Sequence, residues 1–207
     1  MNCYLRMIQE QSDGQLWCPS SFFWPKLELG GHAAVQRWAR RAAVNVASCD
    51  ALVVPLHLEG VATGRVGTKR PKQLLHLVRT FRIVCDPRHH ILYLDSLGMP
   101  APELLQSRLS EFVSKEDPAL SGLWQLYVVN KIPTQLNSSD CGIFVLAYAE
   151  CVARSLPLRV DGSRKSIESK RRAIALAVAQ GKLPSSEKAS MQSGSSEKRM
   201  YLTLSQV

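Results

Sequence analysis

The chain has 207 residues, of which 45% are hydrophobic and 21% charged, with a formal net charge of +9. That length and composition predict one globular domain with a substantial core, at most with a tail. No apolar run is long enough to span a bilayer, and the mixed first residues do not form a signal peptide, so an intracellular address is expected.

Taken in chain order, residues 2–11 place Tyr4, Leu5 and Ile8 at helical spacing and predict a first helix. Asp13-Gly14 predicts a turn. Ser20 or Ser21 is placed to cap a short helix running to Leu29, with Gly30-Gly31 as its stop. Residues 33–43 predict a third helix, with Val35 and Trp38 on one face and Arg37, Arg40 and Arg41 near it. The run ALVVPLHL at residues 51–58 is apolar and β-rich, and predicts a strand. Residues 61–72 combine glycine, proline and basic residues and predict a loop. A strand is expected at 74–85, and a short one at 91–94 after the turn Asp86-Pro87. Residues 103–115 predict an amphipathic helix, and 123–129 a strand. Residues 141–155 form a strongly apolar helix, followed by a helix at 163–180 that is basic at its start. From Pro184 onward Ser, Lys and Glu dominate, which predicts a disordered polar tail. Helices, then strands, then helices indicate an α+β domain rather than a regular βαβ repeat.

The positive charge is concentrated. Residues 61–79 hold Arg65, Lys69, Arg70, Lys72 and Arg79 with no acidic residue, and residues 164–172 hold a second cluster. Such charge favours acidic partners or nucleic acid. No aromatic residue interleaves with the first block, however, so a base-stacking surface is not indicated and nucleic-acid binding is not expected. The block reads as a solvated basic loop. Six cysteines (Cys3, Cys18, Cys49, Cys85, Cys141 and Cys151) show neither a CxxC pair nor zinc-type histidine spacing. They read as reduced thiols, and neither metal nor cofactor is expected. Cys3 and Cys151 read as small buried hydrophobes.

Cys141 stands apart. Ser138-Ser139-Asp140 can cap a helix, and Cys141 then opens the apolar run CGIFVL. A thiol at a helix N-terminus meets the positive end of the macrodipole and free N–H groups, both of which favour thiolate. Gly142 has no side chain, so a substrate backbone can approach. Gln135 lies just upstream, where its amide can donate to a developing oxyanion together with the N–H of Cys141.

The segment IPTQLNSSDCGIFVLAYAE resembles the P-x-Q-x-N-G-S-D-C-G-V-F signature of the SUMO/sentrin-specific, ubiquitin-like-protein-specific cysteine proteases. MNCYLRMIQEQS is similar to the first helix of that family. CPSSFFWPKLELGGHAAVQRWARR is similar to its FF-x-x-K-L…R-W block, ALVVPLHLEG to the strand leading to its histidine, and ILYLDSLG to the strand carrying its aspartate. The resemblance covers residues 1–183, which are the expected protease domain, with 184–207 as the tail. It implies a papain-like cysteine protease fold: a central mixed sheet flanked by helices, with the catalytic cysteine at a helix N-terminus. It also implies Cys141 as nucleophile, Asp95 as the carboxylate that orients a histidine, and Gln135 as the oxyanion donor. Asn137, Asp140 and Gly142 match the motif, while Ser138 replaces its usual glycine. Gly142 and Trp124 are the implied substrate contacts. The implied reaction is cleavage after the C-terminal Gly-Gly of a SUMO-type modifier, at a precursor peptide bond or an isopeptide bond to lysine, through a thioester at Cys141. The implied partners are SUMO or a related ubiquitin-like modifier and its conjugates. The chain is expected to be a monomer, without membrane attachment, in nucleus, cytoplasm or both.

The pattern breaks at one place. The family carries a His-Trp pair shortly after the P-x-H-L strand, and counting back from Asp95 by the family interval reaches Val78, followed by Arg79. Residues 61–79 thus read as a replacement of that pair, through an alternative transcript junction or a lineage-specific loop. The first residues open inside the family's first helix, in keeping with a non-standard product. His76 lies two positions from the expected place, where a strand side chain shares its face. His57 matches a non-catalytic family histidine, His89 and His90 are expected to be exposed in a turn, and His32 to open a helix. Three readings stay open: an active protease with Cys141, Asp95, Gln135 and His76; an impaired isoform that binds a modifier; and a basic adaptor on a protease scaffold.

Overall fold

The computed structural model describes residues 1–58, 77–84, 89–130, 132–137, 139–154, 156–158 and 160–184. Strands β1 (Leu16–Trp17), β2 (Ala51–Leu58), β3 (Leu77–Val84), β4 (His90–Leu94) and β5 (Gln125–Val128) form one mixed sheet in sequence order. β1 runs parallel to β2, the β2–β3–β4 meander is antiparallel, and β5 returns parallel to β4.

The continuous apolar runs of β2 and β4 are explained by burial on both sides of the sheet. Successive strand residues face opposite ways. Ala51, Val53, Leu92 and Leu94 accordingly join one core cluster, and Leu52, Val54, Leu56, Ile91 and Tyr93 join the other. The first cluster is closed by helices α1 (Asn2–Glu10), α5 (Cys141–Ala153) and α6 (Arg164–Gln180). The second is closed by α2 (Phe23–Val35), the short α3 (Trp38–Arg41) and α4 (Leu105–Glu116).

α5 is the central helix because it is apolar on all sides. Nine of its thirteen residues are buried, including Ile143, Phe144, Leu146 and Tyr148. Glu150 is its polar anchor: it accepts a hydrogen bond from Tyr4 of α1 and pairs at 2.7 Å with Lys170 of α6. Ser163 caps α6 by accepting from the Ser166 amide, and Gly181 ends it in the left-handed conformation.

The predicted elements are found with shifted ends, and three local expectations are corrected. The α2 N-cap is Phe22 rather than a serine hydroxyl. The serines act through their backbone instead: Ser20 O accepts from Phe23 N, and Ser21 N donates to Asn2 Oδ1. The helix also does not stop at Gly30-Gly31. It kinks at Gly31, whose φ of 59° suits glycine, and a Cβ there would come 3.1 Å from the Arg108 guanidinium of α4. The expected helix 33–43 is therefore divided between the end of α2 and α3.

Cys3 is exposed rather than buried, because α1 turns Tyr4, Leu5 and Ile8 inward, while Cys151 is half-buried. His89 and His90 are not freely exposed either: their rings lie 4.9 Å from Trp124 and 5.1 Å from Tyr127. His32 follows the Gly31 kink and hydrogen-bonds Glu116 at 2.9 Å. The expected loop at 61–72, His76, Cys85, the turn at 86–87, Ser138 and the tail beyond Pro184 lie outside the described residues.

Candidate active site

Cys141 is the first residue of α5 and is 6% exposed. The carbonyl of Asp140 accepts from the Ile143 and Phe144 amides at 2.8 and 3.2 Å, so the first helical turn closes behind the cysteine. Asn137 builds the turn that leads in. Its Oδ1 accepts from the amides of Ser139 (2.9 Å) and Asp140 (3.0 Å), and its Nδ2 donates to Asp140 Oδ2 at 2.6 Å. An asparagine suits this position because a short amide side chain can stand in for a backbone turn. The second carboxylate oxygen, Asp140 Oδ1, accepts from Arg171 of α6 at 2.6 Å.

Gln135 is 8% exposed and anchored on both sides. Its backbone N donates to Ser96 O at 2.9 Å, and its Oε1 accepts from Ser96 Oγ at 2.6 Å. Its Nε2 donates to Asn137 O. A carboxamide nitrogen carries two N–H donors. The carbonyl oxygen is held by Ser96, so it is the nitrogen end that points along the chain towards the N-terminus of α5.

Asp95 lies one residue past the end of β4 and is 7% exposed. Its Oδ1 accepts from Leu97 N at 3.1 Å and its Oδ2 from Met99 N at 2.6 Å, which fixes the carboxylate plane. Its charge is felt on α5: burial first, and Asp95 next, push the Tyr148 phenol above its ordinary value. Tyr148 in turn donates to Pro133 O at 2.5 Å and ties α5 to the segment that carries Gln135. Asp95-Ser96, Gln135, Asn137 and Asp140-Cys141 thus form one hydrogen-bonded sequence from the end of β4 to the start of α5.

A thiol at a helix N-terminus, a buried amide donor and an oriented carboxylate are the parts of an acyl-transfer site. A cleft of about 510 Å³ opens beside it, lined by Leu136, Asn137, Asp140, Ile167, Glu168 and Arg171 among others. Among the described residues the space above Gly142 is open: beyond the helix's own backbone and its chain neighbours, a Cβ built there meets no atom within 4 Å.

Trp124 is not brought to this site. It is 1% exposed in the α2–α4 core cluster, on the other side of the sheet from α5. Its Nε1 donates to Leu120 O at 3.1 Å and its ring lies tilted against His89. In this structure its contacts are those of a core side chain. Ser96 is the residue that sequence reasoning missed; a hydroxyl next to Asp95, in the sequence Leu-Asp-Ser, was the available signal.

Position 78 is set by strand register. Val78 is the Cα partner of His57, and lies two residues from the Thr80–Leu94 pair that precedes Asp95. His76 lies outside the described residues. Among the described residues, no group of three or more His, Cys, Asp or Glu side chains could hold a metal ion, and no helix is long and apolar enough to cross a membrane.

Comparison with known proteins bears on the family and the fold. The sequence profile described as Ulp1 protease family, C-terminal catalytic domain, matches residues 1–180. Sentrin-specific protease 2 of Rattus norvegicus is 33% identical over an alignment of 170 residues that covers 76% of this chain and 26% of that protein. The chain therefore spans about a quarter of the length of that curated relative. A structure of the SUMO protease Ulp1 with its catalytic cysteine oxidised to a sulfenic acid superposes with a TM-score of 0.69 at 22% identity, covering 86% of this chain and 74% of that one. The Ulp1 protease domain in complex with Smt3, the yeast ortholog of SUMO, gives 0.66 at 22% identity over the same shares. These likenesses establish the papain-like α+β fold. With the profile matched across nearly all of the sequence through the last residue of α6, the chain belongs to the Ulp1 protease family, as its C-terminal catalytic domain.

Proposed function

We propose that this chain is a cysteine peptidase that cleaves after the C-terminal Gly-Gly of a SUMO-type modifier, both in precursors and in isopeptide conjugates to lysine. The observation that carries the reading is the hydrogen-bonded sequence from Asp95-Ser96 through Gln135 and Asn137 to Cys141 at the start of α5. In this reading the Cys141 thiolate attacks the Gly carbonyl. The developing oxyanion is received by the Gln135 amide and the Cys141 N–H, the lysine amine leaves with a proton, and water releases the thioester. The open space over Gly142 admits the glycine backbone. Thiol, amide and carboxylate supply this chemistry without a metal or cofactor, and the chain acts as a monomer.

His76 is the candidate base and acid, two residues before Val78. A second reading has a specific observation behind it: β3 has valine where the family interval calls for histidine, paired in register with His57. In that reading the chain binds the modifier and turns over poorly. Residence in the nucleus, the cytoplasm or both belongs to the same proposal, the nuclear share supported by the net charge of +9, and imaging of the tagged chain checks it.

The test is hydrolysis of a lysine isopeptide conjugate of a SUMO-type modifier. The protease reading expects cleavage that is abolished by Cys141→Ser and reduced about 10²–10⁴-fold by His76→Ala. Tight binding of an unreactive modifier without cleavage selects the second reading. Neither cleavage nor binding would leave only a scaffold.

A further inference from the structure

Asp140 poses an electrostatic problem. It places a carboxylate next in sequence to Cys141, where a negative charge opposes thiolate formation. Its side chain is 15% exposed, so water screens it only in part. The structure answers with a cation from another helix: Arg171 Nη2 of α6 lies 2.6 Å from Asp140 Oδ1. The other oxygen of the same carboxylate accepts from Asn137 Nδ2, and Asn137 O accepts from the Gln135 amide. Arg171 therefore stands at the head of a hydrogen-bonded series that ends on the proposed oxyanion donor.

We propose that Arg171 is a positioning residue: from α6 it neutralises Asp140 beside Cys141 and, through Asp140 and Asn137, holds Gln135 in place. This rests on Cys141 being the nucleophile, and it makes α6 part of the site's machinery rather than a mere cover for the core. Other charged and titratable groups near this end of α5 are Asp95 after β4, Tyr148 on α5 itself, and Arg164 and Glu168 of α6, which pair with each other at 3.2 Å. β3, which packs on α5, carries Arg79 and Arg82 in its sequence. Tyr4 of α1 and Lys170 of α6 meet α5 at Glu150. That is nine residues from Cys141, or about 13 Å along the helix. Lys170 is thus a matched control: the neighbouring residue on the same helix, with an ion pair to the same partner helix, remote from the thiol.

The test is the pH profile of Cys141 alkylation by iodoacetamide, read by mass spectrometry of the peptide that contains it. It needs neither modifier nor turnover, so it can fail while the peptidase reading stands, and the reverse. Arg171→Ala is expected to lower the rate about threefold at a fixed pH on the rising limb of the profile, the scale of one partly exposed ion pair. Arg171→Lys, which keeps the charge, restores the parent profile. Lys170→Ala leaves it in place. In an Asp140→Asn background, Arg171→Ala no longer moves it, because there is no carboxylate left to neutralise. An unmoved profile in folded Arg171→Ala, an equal shift in Lys170→Ala, or a shift that persists with Asp140→Asn would each overturn the proposal.

Discussion

Placing a histidine at position 78 should raise the turnover of this chain. β3 and β4 pair at Thr80–Leu94, Val78 lies two residues beyond Thr80, and Asp95 one residue beyond Leu94. Strands advance about 3.4 Å per residue and lie about 4.8 Å apart, so continuing the pairing puts the Cα atoms of residues 78 and 95 about 6 Å apart. Strict alternation would turn residues 78 and 95 to opposite faces, but β4 ends at Leu94 and the Asp95 charge reaches Tyr148 of α5, on the face that Leu94 shares, so an imidazole at 78 can close that distance with a hydrogen bond. Leu97 N donates to Asp95 Oδ1 and Met99 N to Oδ2, which orients the carboxylate at the end of β4. The orienting half of a Cys–His–Asp arrangement is therefore already built. Supplying the imaginable missing half, Val78→His, adds general acid–base help of about 10²–10⁴-fold, or about 2.7–5.4 kcal/mol of barrier. The assay is kcat/KM on a fluorogenic amide at the Gly-Gly terminus of a SUMO-type modifier. Adding Asp95→Asn to Val78→His should remove most of the gain. A folded Val78→His protein with an unchanged rate would refute the placement of position 78 beside Asp95.

Three further outcomes follow from particular contacts. Gln135→Ala should lower kcat by about 10²–10³-fold with little change in KM, because its amide acts on the oxyanion rather than on bound substrate; equal effects on both constants would argue against that role. Tyr148→Phe removes the 2.5 Å hydrogen bond to Pro133 O, at a cost of about 1 kcal/mol, seen as a Tm lower by about 2–4 °C. Burial, with Cys49 beside it, pushes the Cys18 thiol up to about 12 from an ordinary 9.0. A raised folded value means that this contribution to stability is whole below pH 9 and is lost as pH rises towards 12. Urea midpoints should therefore fall across that window, and fall less in Cys18→Ala; identical slopes would refute the assignment.

Much of the fold was legible because patterning and burial agree. Tyr4, Leu5 and Ile8 are spaced as a helix face and are buried as one, and the unbroken apolar run 51–58 became a strand buried on both sides over its described side chains. The motif around Cys141 placed the residue at a helix start because Asn137 and Asp140 serve the local turn, and local chemistry is what a short motif records. What escaped the sequence depends on tertiary context. The two-residue β1 exists only through its pairing with β2. The kink at Gly31 lies where Arg108 of α4 approaches, a contact between elements far apart in sequence. Trp124 lies near the motif in sequence yet belongs to the opposite face of the sheet. Ser96 and Arg171 act through hydrogen bonds to partners 39 and 31 residues away, which no local spacing encodes.

The central claim is that Cys141 is a nucleophile presented to a Gly-Gly terminus. Its most direct test is a SUMO-type modifier with a thiol-reactive group in place of the C-terminal carboxylate, incubated with the chain and mapped by peptide mass spectrometry. The account predicts a single adduct, on Cys141, absent in Cys141→Ser. No adduct at all, or an adduct carried by the exposed Cys3 instead, would contradict it.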